Sequence, residues 1–430
     1  MKITTMGFFM DNWLRRSHIW FRAQTTLCKL YGCTPMVKFI SLLSQPEIQQ
    51  FIIDNEQSDV QKLVLRHNEI LGVPSSWIAQ QILGRRKAKQ KLPKWYDTPG
   101  IIYPPSVNME QCSSEVTAKY KQSLVGRHHA ADLTGGFGVD TFFLSKKFYL
   151  TEYVEPDESL LPLVRHNLSL LGVQNIVFHP QPVENFLANH TAMYDLLYLD
   201  PSRRQSSRKV FRFADCTPDV IKLRSKLLKR SPHLLIKASP LMDLKQSSRE
   251  LNAVDQFIVL AAEGECKELL ISLRREKGGE PTIHAVDLDR EGEPTPFAFT
   301  WSQEKKASVD FSAPRAYLYE PNLAIMKAGA FKLVGQRFGL YKLGPDTHLY
   351  TAEEKINSFP GRIFKVVEEV GLDRKLVERF AGGFANILTR NYPLSVDAIK
   401  KKSGLAEGGT RYLIATKTTK NVVLVADRLR

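Results

Sequence analysis

The chain has 430 residues, too many for one ordinary hydrophobic core, so two or three domains are expected. Its 43% hydrophobic and 24% charged residues exclude a disordered chain, and no apolar run approaches the roughly 18–20 residues that cross a bilayer. The formal net charge of +15 points toward a polyanionic partner without naming one.

The N-terminal stretch "MKITTMGFFMDNWLRRSHIWF" has short apolar runs broken by Asp11, Arg15 and Arg16, a poor signal-peptide core. A second methionine, Met36, stands just before the first well-patterned helix, so residues 1–35 are read as a disordered leader or a mis-called start. From Ser44 to about Lys94 apolar residues recur at helical spacing, as in Ile48, Phe51, Ile52 and Ile78, Ile82, Leu83. Gly72, Pro74 and "KLPKW" divide that stretch, giving an N-terminal helical domain over 36–98. Two readings stand for the basic run "GRRKAKQK" at 84–91, a phosphate contact or a solvated helix end. Pro99, Pro104 and Pro105 mark a linker, and "SSEVTAKYKQSL" reads as a helix capped by Ser113 or Ser114, with Glu115 in its first turn.

Between His128 and Leu273 short apolar runs alternate with helical patterns: "HHAADLT", "FYLTEYVEP", "NIVFHPQ", "YDLLYLD", "HLLIKASP", "QFIVLAA" and "ELLISLRR". This predicts an α/β domain over 99–276 built on a mostly parallel sheet with helices on both faces. The last two runs, parted only by "EGECK", read as a closing hairpin. After Glu276 turn-rich segments introduce a C-terminal α+β domain, 277–430, with less regular alternation from Tyr317 onward. The five cysteines form no CxxC pair and no metal-ligand spacing, so they read as reduced thiols of a cytoplasmic protein, and no residue is assigned to a metal.

Three segments carry chemistry. "HHAADLTGGFGVDTFFL" is a strand, a glycine turn and a helix start; Gly135, Gly136 and Gly138 let the backbone approach a ligand, beside Thr134 and Phe137. A nicotinamide or flavin loop wants G-x-G-x-x-G, whereas here Asp132 closes the strand and glycines follow four and six residues later. That spacing resembles the S-adenosylmethionine (SAM) loop of class I methyltransferases. Glu155, 23 residues after Asp132, ends the second strand, where a carboxylate can accept both ribose hydroxyls. Gln181 and Glu184 are the alternatives for the polar side chain beside the adenine after the third strand. The fourth strand ends in "DLLYLDPSRR", 68 residues after Asp132.

Class I enzymes that methylate an exocyclic or planar nitrogen end this strand in a motif of the form [D/N/S]-P-P-[Y/F/W]. The acid or amide and a nearby carbonyl accept from the target amine and aim its lone pair at the methyl group. This chain keeps Asp200 and Pro201, but Ser202 and Arg203 replace the second proline and the aromatic. Arg203 and Arg204 either take over stacking and phosphate contacts or are solvated; Phe211 and Phe213 are candidates for the missing aromatic face.

With "EQCSSEVTAKYKQSL", "YVEPD", "HNLSLLG" and the C-terminal phrases "YLYEPNLAIMKAG", "HLYTAEEKINSFPGRIFKV" and "ANILTRNYPLSVDAIKKKSGL", these motifs resemble a bacterial class I SAM-dependent methyltransferase family. Members have a helical N-terminal part and a THUMP-like C-terminal domain. The resemblance implies a Rossmann-like sheet and SAM as cofactor. The loop also looks like that of bacterial 16S ribosomal RNA guanine-N2 methyltransferases. Carried over, Asp132, Gly136 and Gly138 line the SAM site, and Asp200 to Ser202 stand at the reacting nitrogen.

THUMP domains accompany RNA-modifying enzymes, which implies a tRNA or rRNA partner. Arg390, Lys400, Lys401, Lys402, Arg411 and Lys417, near Tyr392 and Tyr412, are the candidate RNA contacts; a solvated basic face over two core tyrosines is the other reading. The expected activity is methylation of RNA at a purine exocyclic nitrogen, guanine N2 favoured. The alternatives are methylation of a protein side-chain amide and a catalytically inactive RNA-binding module.

Overall fold

The computed structural model describes residues 35–203, 212–276 and 278–429; the expected leader up to residue 34, with Cys28 and Cys33, lies outside them. The chain divides into two compact units, 1–204 with 216–235 and 205–215 with 236–430.

The first unit begins with α1 (Pro35–Leu43), α2 (Pro46–Asp54), α3 (Val60–Arg66), the short ladder β1 (Glu69–Ile70) and β2 (Val73–Pro74), α4 (Ser75–Lys91) and α5 (Pro93–Asp97). Residues three and four apart share a helix face, so Ile48, Ile52, Ile78 and Ile82 all turn inward and are buried. The basic run in α4 is largely paired within the protein, with Lys89 exposed near the helix end. Arg85 pairs with Glu56 at 2.9 Å and lies over the Tyr96 ring. Arg86 donates to the Glu56 and Ser58 carbonyls, Lys87 pairs with Glu110 at 2.6 Å, Lys89 approaches Glu56 at 4.0 Å, and Lys91 donates to the Met109 and Glu110 carbonyls. These cations knit the helical layer together.

Then follow α6 (Ser106–Gln111), α7 (Glu115–Ser123), β3 (Arg127–Asp132), α8 (Val139–Ser145), β4 (Phe148–Val154), α9 (Leu160–Leu170), β5 (Ile176–His179), α10 (Val183–Asn189) and β6 (Leu196–Leu199). A two-residue ladder of β7 (Ser202–Arg203) and β8 (Cys216–Thr217) precedes α11 (Val220–Arg230). Ser114 is the cap of α7, its hydroxyl accepting from Thr117 N at 3.3 Å. Strands β6, β3, β4 and β5 lie in that order and pair in parallel. Parallel strands covered on both faces read as continuous apolar runs, and all four residues of β6 are buried. One apolar core joins Ile78, Ile82 and Trp95 of the N-terminal helices to Phe137, Phe142 and Phe143 beside the glycine turn. The Trp95 and Phe142 rings meet edge to face at 4.9 Å.

The "RHNLSLLG" motif holds the linker against α9. Asn167 accepts from Ile102 N at 3.0 Å and donates to Ile102 O at 2.8 Å, while His166 Nε2 sits 2.8 Å from Gly100 O. Burial pushes the His166 imidazole down to about 4, against the pull of the Gly100 bond, so the ring is neutral at pH 7.

Strand β9 (His233–Ala238) crosses the division between the units. In the second unit, α12 (Leu244–Leu251) leads into β10 (Val254–Ala262) and β11 (Glu265–Arg274), the expected antiparallel hairpin. Glu263 and Gly264 turn it with φ of 54° and 76°, the paired positive values of a type I′ turn. β12 (Thr282–Leu288) lies parallel to β10, and β13 (Pro294–Phe299) runs back beside it before α13 (Trp301–Lys306).

A separate seven-stranded sheet starts at β14 (Tyr317–Pro321). It continues through α14 (Leu323–Ala328), α15 (Lys332–Arg337), β15 (Tyr341–Gly344), β16 (Thr347–Ala352), β17 (Gly361–Glu369), β18 (Phe384–Arg390), α16 (Val396–Ser403), β19 (Ala406–Lys417) and β20 (Asn421–Arg428). Its order is β15-β16-β14-β17-β20-β19-β18. The parallel pair β18–β19 is connected through α16, which Ser395 caps and Gly404, at φ 79°, ends, as the sequence predicts. Among the described residues no helix is long and apolar enough to cross a membrane.

Asn167→Ala leaves the Ile102 N–H and C=O without their buried partner. It is expected to lower unfolding free energy by about 2–4 kcal/mol, read from the midpoint of a urea titration at unchanged slope.

Candidate active site

The chain leaves the sheet centre at β3, moves outward to β5, and returns to place β6 on the other side of β3. Reversals of this kind open a crevice at the carboxyl ends of the strands. Asp132, at the tip of β3, is 1% exposed. One carboxylate oxygen accepts from Thr134 N at 3.1 Å, and the other from the Thr141 hydroxyl at 2.6 Å. Burial pushes this carboxyl up to about 7, against the Thr141 bond and with a further push from the Asp140 and Asp200 charges. Both oxygens thus shape the turn from β3 into α8.

The glycines are needed one by one. A Cβ on Gly135 would stand 2.2 Å from the Tyr153 ring, and one on Gly138 would stand 2.7 Å from Val164 Cγ1. Gly136 and Gly138 have φ of 51° and 80°, the left-handed region that costs glycine least. Gly135 N donates to Val154 O at 2.9 Å, and Gly136 O accepts from the Tyr153 hydroxyl at 2.7 Å. Glu155, partly exposed, accepts from Gly136 N at 2.9 Å with one oxygen and from Asp157 N at 3.0 Å with the other. Each of its oxygens keeps acceptor capacity for a further donor. Phe137 is 4% exposed and packs inward toward Trp95, with ring centres 6.5 Å apart.

Behind the turn lies a buried polar cluster that the sequence reading missed. Lys121, 1% exposed, pairs with Asp140 at 3.1 Å and donates to the Ser113 hydroxyl at 2.9 Å. Ser113 donates to Asp140 at 2.7 Å, and the Tyr198 hydroxyl donates to it at 2.9 Å. A lysine inside the amphipathic α7 looks like a surface residue until its partner on α8 is known. The cluster links α7, α8 and β6 directly beneath the turn.

Strand β6 delivers Asp200 beside the glycine turn. Asp200 N donates to the Thr134 hydroxyl at 2.6 Å, and Leu133 N donates to Tyr198 O at 2.9 Å. Asp200 and Pro201 are partly exposed; Ser202 is exposed, with its hydroxyl 3.4 Å from Thr217 O. The Arg203 backbone pairs with Cys216, whereas its side chain, Arg204 and Phe211 lie outside the described residues. Phe213 cannot supply the missing aromatic face, because it is fully buried. Gln181 and Glu184 flank the end of β5. Gln181 approaches His190 at 3.4 Å, and Glu184 is exposed in the first turn of α10.

Residues 317–360 match the model of a ferredoxin-like domain, and residues 361–428 that of a THUMP domain-like family. A crystal structure described as a "putative methyltransferase" from Porphyromonas gingivalis W83 is 32% identical with a TM-score of 0.80, covering 89% of this chain and 98% of its own. The chain belongs to this SAM-dependent methyltransferase family with a THUMP-like C-terminal domain. Two curated Mycobacterium tuberculosis proteins, from strains CDC 1551 / Oshkosh and ATCC 25618 / H37Rv, are each named an uncharacterized S-adenosylmethionine-dependent methyltransferase. Each is 22% identical over 339 residues, covering 77% of this chain and 89% of its own.

Within the THUMP-like domain of this methyltransferase the six candidate basic residues do not form one patch. Arg390 pairs with Thr416 across β18 and β19, so it shares a sheet end with Lys417. Arg411, in the middle of β19, faces Asp427, and the two side chains pair at 3.2 Å. Lys400 is tied to Glu407 at 2.9 Å, and Arg390 to Glu320. Lys401, Lys402 and Lys417 are exposed. Tyr392 and Tyr412 are partly buried, Tyr412 edge to face with Phe364 at 5.1 Å.

The raised Asp132 carboxyl favours the protonated group in the folded protein. Its contribution to stability is therefore full below the ordinary carboxylate value of about 4 and lost as pH rises from there to about 7. The fall in Tm between about pH 4 and 7 should be smaller in Asp132→Asn than in the native chain when both are followed by calorimetry. Gly135→Ala, which drives a Cβ into Tyr153, should weaken SAM binding at least about tenfold in isothermal titration.

Proposed function

We propose that the protein transfers the methyl group of SAM to an exocyclic amino nitrogen of a purine in tRNA or rRNA, guanine N2 being favoured, in the cytoplasm. The observation that carries this reading is the bond from Asp200 N to the Thr134 hydroxyl, which binds the Asp-Pro end of β6 to the glycine turn.

The residues suit SAM. The turn is held open by glycines whose Cβ positions are already filled by Tyr153 and Val164, and Glu155 keeps acceptor capacity for a ribose diol. When bound, SAM supplies an electrophilic methyl group on a sulfonium. Gly135, Gly136 and Gly138 would hold its methionine part, Glu155 its ribose, and Gln181 or Glu184 its adenine. Asp132 acts through Thr134 and Thr141, by keeping the turn in shape.

The Asp200 carboxylate and a neighbouring carbonyl accept from the target amine and fix its lone pair along the line of transfer, with Pro201 setting the chain direction. Positioning of this kind supplies much of the rate, and the nitrogen's surplus proton leaves after attack. Arg203 is suited to stack on the base or to hold a phosphate. The THUMP-like domain, the net charge of +15 and the exposed Lys401, Lys402 and Lys417 favour RNA over a protein amide.

Mass spectrometry of nucleosides from a deletion strain and its parent is expected to show one methylated purine missing; an unchanged nucleoside profile would sink the RNA reading. With purified protein, Asp200→Ala should cut methyl transfer about 100- to 1,000-fold while SAM still binds. Loss of SAM binding in that variant would move Asp200 from the target to the cofactor.

A further inference from the structure

Strands β3, β4 and β5 bring His129, Glu152 and His179 together on one face, where covered parallel strands are ordinarily apolar. Glu152 lies opposite Ala131 on one side and Val177 on the other. Side chains alternate along a strand, so His129, two residues before Ala131, and His179, two after Val177, share the Glu152 face. Tyr153 and Asp132 point to the other face, toward the glycine turn. His190, which ends α10, closes over the trio, its ring 4.7 Å from that of His179 and stacked on Phe186 at 4.5 Å.

One ligand atom each from Glu152, His179 and His190 falls within 4.8 Å of the others. His179 Nε2 is 3.0 Å from Glu152 Oε2, yet neither buried atom makes a directed hydrogen bond. The second Glu152 oxygen is engaged by His129 Nε2 at 2.8 Å. Buried polar atoms ordinarily find well-aligned partners, and this close ion-pair contact, out of line for a directed hydrogen bond, turns both groups toward one small space. Ligand atoms about 2.0–2.2 Å from a tetrahedral ion stand about 3.3 Å from one another. The 3.0 Å pair is close to that edge, and His190, within 4.8 Å and beside the Gln181 amide, would turn inward to complete the set.

We propose that Glu152, His179 and His190 bind one divalent first-row transition-metal ion of the zinc class, with His129 orienting the carboxylate from behind. Two imidazoles and one carboxylate suit such an ion, and a fourth position stays open to water. His129 plays the outer-partner part that fixes ligand geometry in metal sites. The ion would cross-link β4, β5 and α10 under the strand ends that carry Glu155 and Gln181. It lies on the face of β4 opposite Tyr153 and the glycine turn.

The test uses the untagged full chain, stripped with a chelator and titrated with Co²⁺ and then Zn²⁺. The expected result is one equivalent of Zn²⁺ retained through gel filtration, Co²⁺ absorption bands of a nitrogen–oxygen site that Zn²⁺ abolishes, and a Tm raised by several degrees. His190→Ala and Glu152→Gln should each weaken Zn²⁺ binding at least about 100-fold, and His129→Gln about 10-fold. His190 ends a helix and is half-buried, so His190→Ala tests the idea even where Glu152→Gln fails to fold. Absence of Co²⁺ bands from the folded native chain, or native Zn²⁺ affinity in folded His190→Ala, would overturn the proposal.

Discussion

The turn from β3 into α8 depends on one buried carboxylate. Asp132 gives an oxygen to each side of the glycine turn, the Thr134 amide and the Thr141 hydroxyl, and thereby clamps six intervening residues into one path. The same threonine, through its own hydroxyl, accepts from Asp200 N on the neighbouring strand. Cofactor loop and proposed reaction face are thus parts of one hydrogen-bonded unit. A carboxyl so deeply buried is held toward its protonated form, and the hydrogen bonds it receives only partly offset that push.

The layers behind the turn explain its rigidity. Trp95 and the phenylalanines at 137, 142 and 143 fill the space between the N-terminal helices and α8. Lys121 and Asp140 form an ion pair in the same region, with Ser113 and Tyr198 completing the remaining bonds. A buried charge pair contributes little net stability when intact and costs several kcal/mol when one member is removed, so it acts mainly to specify one arrangement of α7 against α8. The N-terminal helices therefore belong to the structure of the catalytic unit, and their basic run is consumed in holding them there.

The two kinds of polar residue in the central strands divide cleanly between faces. Asp132, Tyr153 and Glu155 serve the turn, whereas His129, Glu152 and His179 gather on the opposite side with His190. Because the side-chain period of a strand is two, adjacent residues such as Glu152 and Tyr153 serve different sites without interfering. In the THUMP-like domain the parallel pairing of β18 with β19 has the opposite effect. It sets Arg390 beside Thr416 and Lys417, distant in sequence, while Arg411 lies further back along β19.

Local rules sufficed for much of this protein. Strand after strand from "HHAADLT" to "ELLISLRR" was legible from apolar runs and alternation, as were the Ser395 cap, the Gly404 stop and the hairpin at "EGECK", because each depends on residues a few positions apart. The glycine turn, with Asp132 ahead of it and Glu155 one strand later, was legible for the same reason. What required the tertiary structure were partnerships across long sequence separations. Ser113 bonds Asp140 while Ser114 takes the cap; Asn167 grips a linker 65 residues away; Arg85 and its neighbours meet Glu56; and Glu152, His179 and His190 converge from three elements. A polar residue's identity says that it needs a partner when buried, but only the packing of sheet against helix decides whether it is buried and which partner it meets.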